Sequence, residues 1–426
     1  MTSDPHHARS PVDSPAPART RSLLVALAAP FLLATVVGLA VLWPGGAATG
    51  PDPSLGAPDD LVDGRVVDVR RGPCPGADPS ADLTCVVPQV RVLEGPDRGE
   101  VVSLGEQTEG RGSARFEVGD TLVLSYFPEA EEGFRYSFAD RERRVPLLVL
   151  GGLFASAVVA LGRWRGLRAL LGLPVSLGVV IVFVLPAILE GSSPLLVALV
   201  GASVVAFTAL YLAHGVNART TTAVIGTLAS LALVGALGAA FVAAAQLSGL
   251  ADEDATFLQV AAAQINFQGL LLGGIVIGAL GVLDDVTVTQ ASAVWELRRA
   301  NPGYRRRDLY RAGIRIGQDH IASTVNTLVL AYAGASLPLF LLFTQAGQGL
   351  GDVVNGEAIA VEVVRALVGS LGLVASVPLT TALATWAVAS TPPTGATDRS
   401  SRSRRHPGPT PARRRRGRSR PAPPAG

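Results

Sequence analysis

Two adjacent carboxylates, Asp284 and Asp285, close an apolar and glycine-rich run that extends from Leu270 to Leu283. Charge at or just inside a membrane boundary is costly, so its presence there points to function. The polar series continues through Thr287, Thr289, Gln290 and Ser292 to Trp295 and Glu296. On a helix, Asp285, Thr289, Ser292 and Glu296 share one face at i, i+4, i+7 and i+11, while Asp284 and Thr287 begin a neighbouring stripe. A second segment, IGQDHIASTVNTLVLAYAGASLPLFLLF from Ile316, carries Gln318, Asp319, His320, Ser323, Thr324, Asn326 and Thr327 before turning apolar at Leu328. Asp319, Ser323 and Asn326 share one of its faces, and His320, Thr324 and Thr327 the adjacent one. A helix this polar over half a span must set those groups against other helices or water, because lipid cannot satisfy them. Carboxylates, hydroxyls, carboxamides and an imidazole at one depth suit a cation or proton site, or a polar vestibule for an organic substrate. His214, Asn217 and the run Thr220–Thr222 close one apolar stretch and open the next, and are expected at the same level.

Structural roles compete with each of these. Asp284 and Asp285 could be the first cytosolic residues after a span, paired with arginines of the 298–315 loop. Asp319 could complement the positive end of a helix dipole in a first turn. His320 alone could be an interfacial histidine. Glu362 and Arg365, spaced i, i+3, suit a local ion pair. Gln264, Asn266 and Gln268 could line an outer entrance or mark an interfacial turn.

The elements that must position these residues are legible in the composition. The chain has 426 residues, 49% hydrophobic and only 16% charged, and its mean hydropathy is +0.39. That balance, with several apolar runs of about 20 residues, is that of a polytopic membrane protein. Lysine is absent, which excludes a Schiff-base lysine and the lysine of a phosphate-binding loop. No cofactor pattern and no enzyme are expected, nor any specific contact with nucleic acid.

A polar, proline-rich stretch, residues 1–21, precedes an apolar run from Leu23 to Trp43. The run exceeds the roughly 7–15 apolar residues of a cleaved signal, so an uncleaved anchor over 22–43 is expected; Gly46 and Ala48 leave cleavage open. Residues 44–144 alternate in short runs between Gly, Pro and Asp clusters, which predicts a small exported antiparallel β-domain, a barrel of about five or six strands. Cys74 and Cys85 are the only cysteines, and in an exported domain they are expected to form a disulfide. A seven-helix domain over 145–390 follows, with spans near 145–162, 169–189, 194–213, 221–247, 267–283, 317–343 and 363–389.

Arginine placement sets orientation. Arg163, Arg165 and Arg168, then Arg219, then the 298–315 cluster occupy alternate loops, and the loops between them contain no arginine. Eight spans with both termini in the cytoplasm of a bacterial plasma membrane fit this alternation. Arg141, Arg143 and Arg144 lie on the opposite side, at the end of a long exported segment of the kind that crosses regardless of charge. Beyond Ser390 the chain is rich in Pro, Ser and Arg, and is expected to be disordered. The tail either contacts anionic lipid or reinforces orientation.

GALGVLDDVTVTQASAVWEL (278–297), followed by IGQDHIASTVNTLVLAYAGASLPL (316–339), resembles the YibE/F-like family of bacterial membrane proteins. The resemblance covers roughly 145–390 and implies an integral plasma-membrane protein of transporter-like character with no settled substrate or catalytic residues. Two functions fit. One is a secondary transporter or permease for an unidentified small solute or ion, its cytoplasmic pathway lined by the two polar segments and coupled through Asp284 or Asp285 with His320 nearby. The other is a membrane scaffold or sensor whose β-domain binds a ligand or envelope partner. An intramembrane aspartyl hydrolase would need Asp285 to meet Asp319, because Asp284 and Asp285 diverge by about 100° on a helix. Oligomeric state is left open.

Overall fold

The computed structural model describes residues 18–46, 60–74, 84–109, 115–131, 133–347 and 349–389. The polar stretch through residue 17, Ala48 and the arginine-rich tail lie outside the described residues. Helix α1 spans Ala18–Val41, so residues 18–21 belong to it and not to the polar leader.

Alternating apolar residues build the first domain. Its strands are β1 (Asp60–Pro73), β2 (Thr84–Val92), β3 (Val101–Ser103), β4 (Gln107–Glu109), β5 (Thr121–Tyr126) and β6 (Tyr136–Arg141). They form one antiparallel sheet in the order β3-β2-β1-β5-β6, with β4 also paired to β2. Among the described residues this is an open path with β3 and β6 at its edges, not the closed barrel expected. The long β1 serves two neighbours, pairing β5 with its first half and β2 with the rest. Where the two pairings overlap, Gly64 leaves the room that Val90 and Leu124 need; a β-carbon there would lie 2.5 Å from Val90. Val62, Val66, Val86, Val90, Leu122 and Leu124 are in a core separate from that of the helices. A disulfide joins Cys74 to Cys85.

The three arginines that strain the orientation rule are matched by carboxylates. Arg141 meets Asp120 at 2.9 Å, Arg143 meets Asp140 at 2.6 Å, and Arg144 meets both Asp63 and Glu142. Arg143 also holds the Asp140 carboxyl below its ordinary range. Most of this positive charge is therefore neutralised within the domain.

Helix α2 (Arg144–Val179) contains one residue off the helical path, Arg163, at φ 50° and ψ −132°. There the chain folds back sharply enough for Gly166 to lie on the Val158 carbonyl, where a β-carbon would overlap. A π-helical turn, Val180–Val184, then leads into α3 (Leu185–Leu189), beside Pro186, which lacks an N–H. The remaining helices are α4 (Pro194–His214), α5 (Ala218–Ala244), α6 (Glu253–Ala261), α7 (Phe267–Ala300), α8 (Arg306–Ala335), α9 (Leu337–Gln345), α10 (Leu350–Asn355) and α11 (Glu357–Ala389). Six of the described helices are long and apolar enough to cross a membrane, or seven if α8 and α9, bent by 58° at Ser336 before Pro338, form one broken span. The chain is thus an integral membrane protein.

Helices α5, α7 and α11 pack most extensively against one another, with α4 laid on α7 and α8 on α11 and α7. Glycines set the α5–α11 approach: Gly226 lies against Thr380, and Gly372 against Val234. Small residues of this kind let helix backbones meet in lipid. Two carboxylates tie connecting segments to the bundle. Glu190 accepts from the amides of Gly45 and Gly46, and Glu357 accepts from Ser248 and Gly249.

Candidate functional site

Helix α7 does not end at its aspartates. Its 34 residues run about 51 Å, and Asp284 lies near the middle, about 26 Å from Phe267. The adjacent carboxylates therefore belong to two different faces of one continuous helix. Asp285 and Thr289 are exposed, as is Glu296, which pairs with Arg299 at 3.2 Å; Ser292 is half-buried between them. The neighbouring face turns inward. Thr287 is fully buried and Gln290 is 1% exposed.

That inward face meets α5 and α11. The hydroxyls of Thr227 and Thr287 lie 2.7 Å apart, and Thr287 also donates to the Asp284 carbonyl at 3.3 Å. Thr227 is in addition the polar neighbour of the Asp284 carboxyl. One oxygen of that carboxyl, Oδ1, is buried and has no hydrogen-bond partner among the described residues. The hydroxyls of Thr220, Ser230, Ser370, Thr380 and Thr385 share this condition. All five lie on α5 or α11, so the three most closely packed helices hold a set of buried, unserved oxygens. One turn further in, Gln290 closes the layer by donating to the Gly313 carbonyl at 2.8 Å and to Thr381 at 2.7 Å.

Antiparallel packing fixes the heights. Gly226 faces Thr380 and Val234 faces Gly372, so Ser230 falls at the level of Ser376. Thr227 faces Thr287, which brings Asp284, one turn toward the N-terminus of α7, to the level of Ser230. Asp284, Thr227, Ser230 and Thr380 thus occupy one layer about a helical turn thick.

The polar segment of α8 is placed differently. Asp319 is well inside a helix that starts at Arg306, so it is not a first-turn residue. Gln318, Asp319, Ser323, Asn326 and Thr327 are exposed, and His320 and Thr324 are half-buried. Thr324 and Thr327 donate to the carbonyls four residues back, the usual way a hydroxyl is served within its own helix. Among the described residues no hydrogen bond or ion pair joins Asp285 to Asp319, and neither aspartate pairs with an arginine of the 298–315 segment. The α7–α8 contact is made through other residues: Gln290 against Gly313 and Gly317, and Tyr332 against Gly278.

The smaller expectations divide. Glu362 and Arg365 form a local ion pair at 2.7 Å. Asn266 caps α7, while Gln264 and Gln268 hold the Leu189 and Leu247 carbonyls, so all three serve turns. Asn217 caps α5, and Thr221 meets Tyr211. Thr227, Ser230 and Thr380 had no sequence signal beyond being hydroxyls in apolar spans; only helix packing sets Thr227 beside Asp284 and puts Ser230 and Thr380 at its level.

The decisive comparison covers this whole region. Residues 150–390 match the model of the YibE/F-like proteins. The chain belongs to this family. Neither the curated proteins nor the solved structures contain a match. The YibE/F-like segment includes every helix of the buried layer and stops short of the β-domain.

Proposed function

We propose that this YibE/F-like protein is a secondary transporter or permease of a bacterial plasma membrane, with its coupling site at Asp284. The carrying observation is the buried, unpartnered Asp284 Oδ1 within a layer of hydroxyls shared by three helices. An orphan carboxylate oxygen in an apolar bundle costs stability, several kcal/mol by general estimates, unless a ligand or proton serves it part of the time. The exposed polar face of α8, with Asp285 and Thr289 of α7, forms the cytoplasmic vestibule in this reading. Solute movement needs no covalent chemistry, so the chain is not an enzyme.

The vestibule's placement in this reading takes eight spans, one more than the seven counted above, with the break at Arg163 taken to divide the long apolar run into two and α8 with α9 taken as one broken span. Both termini are then cytoplasmic, with the disulfide-bonded β-domain outside.

Solute and metal-ion profiling of a deletion strain, followed by flux assays in membrane vesicles, tests the reading. Asp284→Asn should abolish flux at unchanged expression, whereas Asp285→Asn should retain most of it. Equal flux by wild type and Asp284→Asn removes Asp284 from the mechanism.

A further inference from the structure

The layer's oxygens also specify what occupies it. We infer, resting on the transport reading, that Asp284, Thr227, Ser230 and Thr380 bind one dehydrated alkali-metal cation of the sodium class. Every donor in the layer is a hard oxygen, the type preferred by cations that form no bonds to sulfur or nitrogen. The formal charge is minus one, from a single carboxylate, which a monovalent cation balances. A divalent or transition metal would call for more anionic or nitrogen ligands, and among the described residues no three His, Cys, Asp or Glu side chains cluster.

A proton alone serves this layer incompletely. It would neutralise Asp284 and leave Ser230 and Thr380, 1% and 0% exposed, without partners. Other hydroxyls of the same two helices are served within their own helix. Thr222 and Thr381 each donate to the carbonyl four residues back, at 2.8 and 2.6 Å, as helical hydroxyls commonly do. Thr380 instead turns its hydroxyl to α5, against Gly226. A cation uses the lone pairs of several hydroxyls at once and gains the carboxylate as well. Buried polar atoms left unserved in a folded protein commonly mark such an ion or water.

The test is equilibrium binding of radioactive sodium to the purified full-length chain in lipid nanodiscs, with choline as the replacing cation. Wild type should bind saturably, with displacement by unlabelled sodium. Ser230→Ala and Thr380→Val should each weaken binding about tenfold, the scale of one lost contact to a charge, and Asp284→Asn should abolish it. Thr385→Val removes an orphan hydroxyl from a different level of α11 and should bind as wild type does. No saturable binding by wild type, or binding unchanged in Ser230→Ala and Thr380→Val, overturns the site. Those two variants keep the result interpretable if Asp284→Asn fails to fold. Solute flux in proteoliposomes separates this inference from the one beneath it. Saturable sodium binding without flux keeps the cation site and removes transport. Flux equal in sodium and choline, with no saturable binding, keeps transport and removes the cation site.

Discussion

The backbone of Gly226 lies so close to the Thr380 hydroxyl that an added β-carbon would overlap the oxygen. Threonine is stiff at χ1 and packed on all sides, so little can yield. Gly226→Ala should therefore destabilise the detergent-purified protein by about 1–3 kcal/mol, the usual cost of overpacking. Adding Thr380→Ala should recover most of the loss, since it removes the clashing group. Thermal unfolding of the two single variants and the double variant checks this; additive losses would mean that the two residues are not in contact. The same intimacy explains what the sequence could and could not disclose here. Asp284 and Asp285 are neighbours in the chain, and both satisfied every criterion available from spacing. About 100° of helix rotation separates a half-buried carboxylate, with its Oδ1 enclosed, from an exposed one, and only the packing of the neighbouring helices decides which is which. The local pair Glu362–Arg365, by contrast, was readable because both partners lie on one turn.

At the scale of elements, the apolar runs are nearly all legible, since length and hydropathy alone define a span. Their breaks are subtler. Arg163 has a backbone conformation that an L side chain rarely adopts and glycine adopts freely. Arg163→Gly should relieve about 1 kcal/mol of strain and raise the melting temperature, while Arg165 and Arg168 keep the loop basic. Lowered stability would mean that the guanidinium holds the turn. Gln290 raises a different question, because it joins three helices from one amide. Gln290→Leu strips the bonds to Gly313 and Thr381 and should cost about 1–3 kcal/mol, the price of buried groups left unserved. Gln290→Glu would add a charge to the same place and should be worse. Comparing the two by thermal unfolding shows whether the position needs only bulk; equal behaviour to wild type in Gln290→Leu would mean that it does.

At the scale of the molecule, the relation between the β-domain and the bundle separates transport from sensing. Each has its own apolar core, and the sheet's arginines are matched within it. The sequence could not show that these arginines are matched, because Asp63 and Asp120, which neutralise two of them, are distant in the chain. Separate cores imply separate folding, so the bundle should insert without the sheet. Replacement should spare the end of α1, where Trp43 stacks on Phe183 and Glu190 holds the Gly45 and Gly46 amides. A chain in which a flexible Gly/Ser linker of about 20 residues, enough for the two ends to find each other, replaces residues 47–143 should therefore reach the membrane at normal levels. If the bundle carries the pathway, its flux should remain within about twofold of wild type, because neither Asp284 nor its hydroxyl neighbours touch the sheet. Complete loss of flux with normal insertion would instead assign the activity to a signal received by the β-domain. The Asp284→Asn change, placed in that shortened chain, completes the test: it should abolish the remaining flux, as is expected in the full-length protein, if the buried layer works independently of the β-domain.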